Sequence, residues 1–272
     1  MAFSFPQEAS GYKPSPNMKF ALVNGRRQEA QHNLSGECPS CQRSMVAKCG
    51  EVRVRHWAHK GRLLCDPWWE NETEWHRTWK DQFPADCQEI VHVAGDGERH
   101  IADVKTGHGW VIEFQHSCLK PEERRSRENF YPKLIWVVDG TRRKRDRAQL
   151  IRAWKEGVPV GGNSLVRKAF SGDCGLLREW AGSNSPVFFD LGEVEMLWWL
   201  LKSTDGWAYI AQFPRAQFIQ CHRSTATEIA RQFDGFVNDI PKLTGDYESH
   251  LRAPLLRWDP LQPRGFRRRF RF

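Results

Sequence analysis

The sequence predicts an α/β fold whose core runs helix, three-stranded antiparallel meander, helix and strand. Two observations predict it. Short apolar runs, alternating or continuous and bounded by turn residues, indicate strands. Apolar stripes at four-residue spacing, bounded by capping residues and prolines, indicate helices. Elements of both kinds alternate along the chain, which is typical of an α/β core. We expect a small zinc-binding module before this core and an α+β extension after it.

Composition limits the partners and the compartment. The 272 residues include 41 Lys and Arg against 33 Asp and Glu, a formal net charge of +8. This balance favours an anionic partner. No apolar run reaches about 18 residues, and the first residues, MAFSFPQEAS, lack the charged and apolar regions of a signal peptide. We therefore expect a cytoplasmic protein, whose eight cysteines are thiols or metal ligands rather than disulfides.

Motifs and composition divide the chain into five predicted segments. These are a flexible leader (1–17), a zinc-finger-like module (18–66), the core (67–156), a C-terminal α+β extension (157–263) and a basic aromatic tail (264–272). The tail interleaves cations with aromatic residues, which suits phosphate pairing and base stacking. A disordered basic tail whose rings pack on the domain is the alternative.

The zinc module begins with a predicted hairpin, in which Phe20–Val23 and a polar return strand flank an Asn24-Gly25 turn. A Cys-x-x-Cys pair and a His-x-x-His pair follow. Thiolates and imidazoles in two short pairs can close a tetrahedral, structural Zn²⁺ site. An alternative is a reduced cysteine pair beside unrelated histidines, and Cys49 or Cys65 could replace one ligand. The predicted ligands are Cys38, Cys41, His56 and His59.

The first core helix is predicted to follow Asn71-Glu-Thr-Glu74, which has the pattern of a capping box with Asn71 as N-cap. Glu74 either caps the helix or approaches the site as an outer carboxylate. Pro84 ends the helix. Its apolar stripe is Trp75, Trp79 and Phe83, and a neighbouring polar row is Glu72, His76 and Lys80.

A strand at Gln88–Val93 and a hairpin within Arg99–Ser117 complete the meander. A turn centred on His108 brings residues five positions before and after it into register, so Asp103 faces Glu113. Crowded carboxylates repel each other unless a cation joins them, and Mg²⁺ prefers one or two carboxylates together with water and phosphate oxygens. The hairpin therefore predicts a metal site, although an ordinary polar-faced hairpin has the same pattern. Strand alternation puts Trp110, Ile112 and Phe114 on one face, and Val111, Glu113 and Gln115 on the other.

The remaining elements follow from similar signals. Pro121 is predicted to start a helix that runs to about Tyr131, and Lys133–Val138 reads as a strand buried on both faces. A basic run at Thr141–Arg147 leads into a helix through Trp154, and Gly157–Asn163 is expected to be a linker. Beyond it we expect strands at Pro186–Leu191 and Trp207–Gln212, and between them a helix that includes Met196, Leu197, Trp198 and Leu200.

The ordered motifs resemble known families. The core order, with Asp103 in the second strand and Glu113-Phe-Gln115 in the third, resembles the PD-(D/E)XK nuclease superfamily. More narrowly, the stretch from about Phe20 to Gly140 is similar to the CoiA-like family of competence proteins. The shared motifs, in order, are an Asn-Gly hairpin, the Cys and His pairs, a Glu-x-His helix with a later Lys, Ala-Asp-Val, Glu-Phe-Gln, a Ser, and an Arg preceding a Tyr.

This resemblance implies a nuclease that hydrolyses DNA phosphodiester bonds with Mg²⁺ or Mn²⁺. Asp103 and Glu113 would be metal ligands, Glu74 an accessory acid, and Gln115 would stand where Lys is commoner. Gln can hydrogen-bond but carries no charge. Gln115, together with Lys80 from the helix, would position water or phosphate. The residues expected to hold phosphate are Arg127 and Tyr131, with Ser117 nearby.

The resemblance also implies a setting and partners. We expect a role in competence, recombination or defence against foreign DNA, with a protein partner from that machinery and with homo-oligomers as one option. The alternative function is a non-cleaving DNA-binding or recombination accessory protein on a nuclease fold.

Overall fold

The computed structural model describes residues 17–61, 65, 66, 68, 72–161, 163–223 and 227–252. Within them the chain forms a mixed α/β fold with two β-sheets and six α-helices. The predicted leader, apart from its last residue, and the predicted basic aromatic tail lie outside the described residues. In the described part of the chain, every helix is too short or too polar to traverse a lipid bilayer.

A five-stranded antiparallel sheet forms the N-terminal module. Asn24 and Gly25 have positive φ angles of 50° and 74°, which the tight turn of the predicted hairpin requires. Backbone hydrogen bonds join Met18 to Trp57, so the last strand curves back to the start of the first. The side chain of Trp57 is fully buried in the core of this module. In spatial order β2-β1-β3-β4-β5, the strands are β1 (Phe20–Val23), β2 (Arg26–Glu29), β3 (Ser35–Glu37), β4 (Ser44–Lys48) and β5 (His56–His59).

The next elements have the predicted order of helix, three strands, helix and strand. Strands β6 to β8 form an antiparallel meander, and β9 pairs with β8 in parallel after a helical crossover. Every residue of β9 is buried, as expected for a strand covered on both faces. The elements are α1 (Glu74–Lys80), a 3₁₀ turn (Ala85–Cys87), β6 (Gln88–Val93), β7 (Arg99–Lys105), β8 (Val111–Gln115), α2 (Pro121–Phe130) and β9 (Leu134–Asp139).

The C-terminal part continues the same sheet. Strand β12 pairs with β9 in parallel, which gives nine strands in the order β10-β11-β14-β13-β12-β9-β8-β7-β6. The added elements are α3 (Asp146–Glu156), β10 (Val158–Val160), β11 (Asn163–Phe170), α4 (Gly175–Trp180), β12 (Val187–Asp190), β13 (Met196–Thr204), β14 (Trp207–Pro214), α5 (Arg215–Arg223) and α6 (Thr227–Arg252).

The helix predicted around Met196–Leu200 is wrong, because this segment is strand β13. Trp199 packs into the apolar cluster on one face of the sheet and Trp198 into the cluster on the other. A strand covered on both faces presents an unbroken apolar run, which periodicity alone cannot distinguish from a buried helix.

The linker predicted at Gly157–Asn163 is also wrong, because it contains strand β10, which pairs with β11. Pro159 lies within β10. It is tolerated because β10 is an edge strand of the large sheet, where one side of the backbone needs no ladder hydrogen bond.

Phe188 of β12 anchors the cluster under α5 and α6. It is fully buried, and four aromatic rings surround it, those of Trp199, Phe213, Phe218 and Phe233. The packing of α5 and α6 against the sheet therefore depends on this ring.

We predict that Phe188→Ala lowers the free energy of unfolding by about 3–5 kcal/mol, because it leaves a cavity among four rings. Denaturant unfolding followed by circular dichroism measures the change. Phe236→Ala is the matched control, since its ring is 41% exposed. It should cost about 1 kcal/mol or less. Equal losses in the two variants would contradict this account of the core.

Candidate metal centres

The β7–β8 hairpin has the predicted register. Val104 pairs with Ile112 and Lys105 with Val111, a register symmetric about His108. Continued by one position, this register places Asp103 opposite Glu113. The N–H of Phe114 donates to Oδ2 of Asp103 at 3.0 Å, and the N–H of Asp103 donates to Oε1 of Glu113 at 3.4 Å. Each carboxylate is therefore held by backbone of the β7–β8 ladder.

Both carboxylates line a small cavity between β7, β8, α1 and α2, which we call the acidic cavity. Two cations, Lys80 and Arg127, also line it. The carboxylates on its wall are Asp66, Glu72, Glu89, Asp103 and Glu113. Acids outnumber cations on this wall. In the described part of the chain, three or more ligand atoms of His, Cys, Asp or Glu lie close enough to share one ion only at the cysteine and histidine cluster described below.

Lys80 is the cation on the α1 side and is 3% exposed. Its Nζ lies 2.6 Å from Oε1 of Glu72, 2.9 Å from Oε1 of Glu89 and 3.8 Å from Oδ1 of Asp103. Burial alone would lower the pKa of Lys80, but Glu89, Glu72 and Asp103 outweigh burial and raise that pKa above its ordinary value. Lys80 therefore stays charged beside Asp103 at every physiological pH.

Arg127 is the cation on the α2 side. Its Nη1 donates to Oε2 of Glu113 at 3.2 Å, and its Nη2 donates to Glu123 and to the carbonyl oxygen of Trp68. Burial and the nearby Asp103 raise the pKa of Glu113 to about 8, although Arg127 opposes the shift. The carboxyl of Glu113 therefore holds its proton to a higher pH than an exposed glutamate does.

Tyr131 also lines the acidic cavity and is 2% exposed. It follows Arg127 by one helical turn, as the sequence predicts, and it caps the end of α2. Among the described residues its hydroxyl has no hydrogen-bond partner, and burial raises its pKa. A buried hydroxyl without a partner costs about 1–3 kcal/mol, so this group is available to donate to a ligand.

Gln115 and Ser117 contact each other rather than the acidic cavity. Gln115 is buried at the end of β8, and its Nε2 donates to the carbonyl oxygen of Ser117 at 3.2 Å and to the Ser117 hydroxyl at 3.3 Å. Neither residue is among those that line the cavity.

Glu74 is exposed at the first turn of α1 and also lies outside the acidic cavity. The predicted capping box is wrong by two residues, because Thr73 is the N-cap and pairs reciprocally with His76. Asn71 lies outside the described residues. The helix ends at Lys80, before the predicted limit, and turns lead on to Pro84. The acid that enters the cavity from this end of α1 is Glu72.

The second centre is a cluster of three cysteines and one histidine in the N-terminal module. The ligand atoms of Cys38, Cys41, His59 and Cys65 all lie within 4.8 Å of one another. The sulfurs of Cys38 and Cys65 are 3.8 Å apart. Two sulfurs bound to one tetrahedral zinc at about 2.3 Å lie about 3.8 Å apart, so the residues fit Zn²⁺. This cluster can hold a structural zinc.

His56 is not a member of this cluster, contrary to the prediction. Its Nδ1 bonds to the carbonyl oxygen of Val54 at 2.8 Å. His56 and His59 are three residues apart on strand β5, so their side chains point to opposite faces and cannot share one ion. Cys65, one of the two substitutes that the sequence left open, completes the set. A hydrogen bond from Cys65 lowers the pKa of Cys38, which favours a thiolate there.

No family model, curated protein or solved structure matches this chain. Sequence reasoning missed two acids of the cavity, Asp66 and Glu89, and placed Glu72 only in a polar row. Asp66 follows a cysteine that the sequence had already marked as a possible ligand, whereas nothing in the sequence singles out Glu89.

We predict that His59→Ala and Cys65→Ser each lose the zinc, whereas His56→Ala keeps one zinc per chain. The reason is that His56 bonds to backbone and contributes no ligand to the cluster. Metal analysis of the purified proteins measures the content. Retention of zinc by Cys65→Ser together with its loss in His56→Ala would instead support the ligand set predicted from the sequence, in which His56 replaces Cys65.

We predict that Glu113→Gln stabilises the protein without divalent cations, and increasingly so as the pH rises. The folded-state pKa of Glu113 is raised from 4.5 to about 8. Over that interval the folded state holds a proton that the unfolded state has lost, so the stability of the wild type falls as the pH rises. Glutamine has no such proton to lose, and Glu123 still neutralises Arg127.

Thermal unfolding at pH 5 and pH 8 measures this effect. The unfolding midpoint of Glu113→Gln should lie close to that of the wild type at pH 5 and several degrees above it at pH 8. Glu122→Gln, which removes an exposed carboxylate of α2, is the control and should follow the wild type. Parallel profiles for Glu113→Gln and the wild type would rule out the buried charge as the cause.

Proposed function

We propose that this chain is a Mg²⁺- or Mn²⁺-dependent nuclease that hydrolyses DNA phosphodiester bonds at the acidic cavity. One observation carries the proposal. Asp103 and Glu113 face each other across the β7–β8 ladder, in an order of elements that resembles the PD-(D/E)XK core, with Lys80 and Arg127 beside them. Buried acids of this kind, paired with cations in a cleft, are typical of functional sites.

The donor set fits a hard divalent cation. Asp103 and Glu113 would hold the ion, since Mg²⁺ takes one or two carboxylates and completes its shell with water and phosphate oxygens. A bound ion lowers the pKa of a water molecule and neutralises charge that develops on the phosphate. Glu113 would lose its proton when a cation binds, because the cation replaces that proton as the partner of its charge.

Lys80 would supply the fixed positive charge. In the superfamily that the core resembles, Lys is the commoner residue at the position of Gln115, but here Gln115 is neutral and bonded to Ser117. The Nζ of Lys80 lies 3.8 Å from Asp103 and is held by Glu72 and Glu89. It would orient the attacking water or a phosphate oxygen from α1 rather than from the strand.

Arg127 and Tyr131 would bind the substrate from α2. The guanidinium of Arg127 lies on Glu113, and the Tyr131 hydroxyl has no partner among the described residues. Both groups can donate to non-bridging phosphate oxygens, which fixes the scissile bond relative to Asp103.

A basic stripe on α3 would track the DNA backbone outside the cavity. Four exposed cations line the same shallow surface: Lys144, which precedes the helix, and Arg147, Arg152 and Lys155 on it. Contacts of this kind bind phosphates without reading bases, so we propose binding that depends on salt and not on sequence.

The proposed setting is cytoplasmic competence, recombination or defence against foreign DNA, with a partner protein from that machinery. A non-cleaving DNA-binding or accessory protein is the second candidate. It is favoured by Gln115, whose side chain is bonded to Ser117 and does not line the acidic cavity.

Cleavage of linear, circular and single-stranded DNA with Mg²⁺, Mn²⁺ or EDTA tests the proposal. We predict metal-dependent cutting that falls at least about 100-fold in Asp103→Asn and in Lys80→Gln, because each removes fixed charge at the reacting phosphate. Gln115→Ala should lose far less activity. Glu74→Gln, altered at an exposed acid on the same helix as Lys80, is the matched control and should cut like the wild type.

Two results would overturn the nuclease reading. One is DNA binding without cutting under any metal condition, which supports the accessory protein. The other is cutting by Asp103→Asn at the wild-type rate, which would move the active site away from the acidic cavity.

A further inference from the structure

We infer that the zinc centre controls metal binding in the acidic cavity, and that Asp66 and Trp68 are the positioning residues that couple the two. The inference rests on the proposed function, because it concerns the same cavity. It gives the N-terminal module a role beyond its own folding.

Residues next to the zinc ligands contact three consecutive residues of β7 from two sides. On one side, Nη1 of Arg99 donates to the carbonyl oxygen of Ser40, between the ligands Cys38 and Cys41, at 3.0 Å. On the other side, Asp66 directly follows the ligand Cys65. Its Oδ1 bonds to Nδ1 of His100 at 2.9 Å, and its Oδ2 accepts from the N–H of Ile101 at 2.8 Å.

These contacts lie close to Asp103 on β7. Ile101 is two residues before Asp103 on the strand, and its side chain packs against the core of the zinc module. A shift of β7 by one residue would turn Asp103 to the opposite face of the sheet. The zinc cluster therefore adds contacts at the beginning of the strand that presents Asp103 to the cavity, a strand whose register is set by its ladders with β6 and β8.

Trp68 carries the coupling to α2. Its N–H donates to Oδ1 of Asp66 at 3.0 Å, and its indole stacks on the His100 ring with centroids 3.2 Å apart. Its carbonyl oxygen accepts from Nη2 of Arg127, whose other amino group bonds to Glu113. Trp68 thus holds Arg127 in the position from which it reaches Glu113.

Zinc supplies the rigidity of this connection. The core of the module is small and consists of Met18, Ala21, Ala30, Cys38, Met45 and Trp57. Small cores depend on metals or other cross-links for their stability. Because Cys65 and Asp66 are adjacent, their Cα atoms are about 3.8 Å apart. Release of Cys65 from zinc would therefore loosen Asp66, and with it the contacts of Asp66 to His100, Ile101 and Trp68.

The test measures Mn²⁺ affinity by electron paramagnetic resonance on the full chain, with zinc content determined on the same samples. In Asp66→Asn we expect one zinc per chain and wild-type circular dichroism, but Mn²⁺ binding weaker by about tenfold or more, as for other residues that orient metal ligands. Trp68→Ala should weaken Mn²⁺ binding similarly. Trp68→Phe keeps an aromatic ring for the stack on His100 and should restore wild-type affinity.

A second pair of variants tests the zinc directly. Cys41→Ser removes a ligand far from Asp66 in sequence, and we expect it to lose zinc and to bind Mn²⁺ about tenfold more weakly or worse. Cys49→Ser alters a half-buried cysteine of the same module outside the cluster and should retain both metals.

The outcomes separate this inference from the proposed function. Wild-type Mn²⁺ affinity in Cys41→Ser after loss of its zinc would overturn the coupling and leave the nuclease proposal intact, whatever the affinity of Asp66→Asn. A wild-type protein that binds no Mn²⁺ and cuts no DNA would overturn both. Weaker Mn²⁺ binding in Cys41→Ser would support the coupling, because that variant leaves every acid of the cavity in place, whereas Asp66→Asn also removes a carboxylate from the cavity wall.

Discussion

The pairing register of β7 with β8 is the constraint on which the rest of the site depends. Side chains alternate between faces, so a shift by one residue would move Asp103 away from Glu113. The register is fixed by the turn, in which the backbone of Thr106 bonds to Gly109 and Trp110, and by burial of β8 on both faces. It also lets backbone N–H groups hold both carboxylates. The acids are therefore positioned by the fold before any cation arrives.

Positioning five carboxylates in one cavity carries an electrostatic cost that the helices offset. Buried charge is tolerated only where opposite charge lies close to it. Lys80 from α1 and Arg127 from α2 provide that charge, and neither belongs to the strands that carry the central acids. Docking of both helices is thus required for the cavity to exist. Acids still outnumber cations in the cavity after docking, and burial together with the nearby Asp103 raises the pKa of Glu113.

Local patterns predicted the hairpin, its register, the order of elements from α1 to β9, and the nearness of Arg127 and Tyr131. Each of these depends on residues close together in sequence. The features that the sequence did not predict depend on contacts between residues far apart in sequence. Strand β13 reads as a helix because its covering layers come from remote parts of the chain, and Glu89 enters the cavity through a fold that no local pattern reveals. The candidate zinc ligands are an intermediate case. The Cys and His pairs are visible in the sequence, but only the fact that β5 is a strand shows that the side chains of His56 and His59 point to opposite faces.

The source of positive charge distinguishes this cavity from one with a lysine on the strand. A lysine at position 115 would be fixed by β8 alone, whereas Lys80 depends on the packing of α1 and on Glu72 and Glu89 as acceptors. Arg127 likewise depends on Trp68, which follows the zinc ligand Cys65. Both cations are therefore held by parts of the chain outside the hairpin. Such an arrangement makes the charge balance of the hairpin acids a property of the whole assembly of module, helices and sheet.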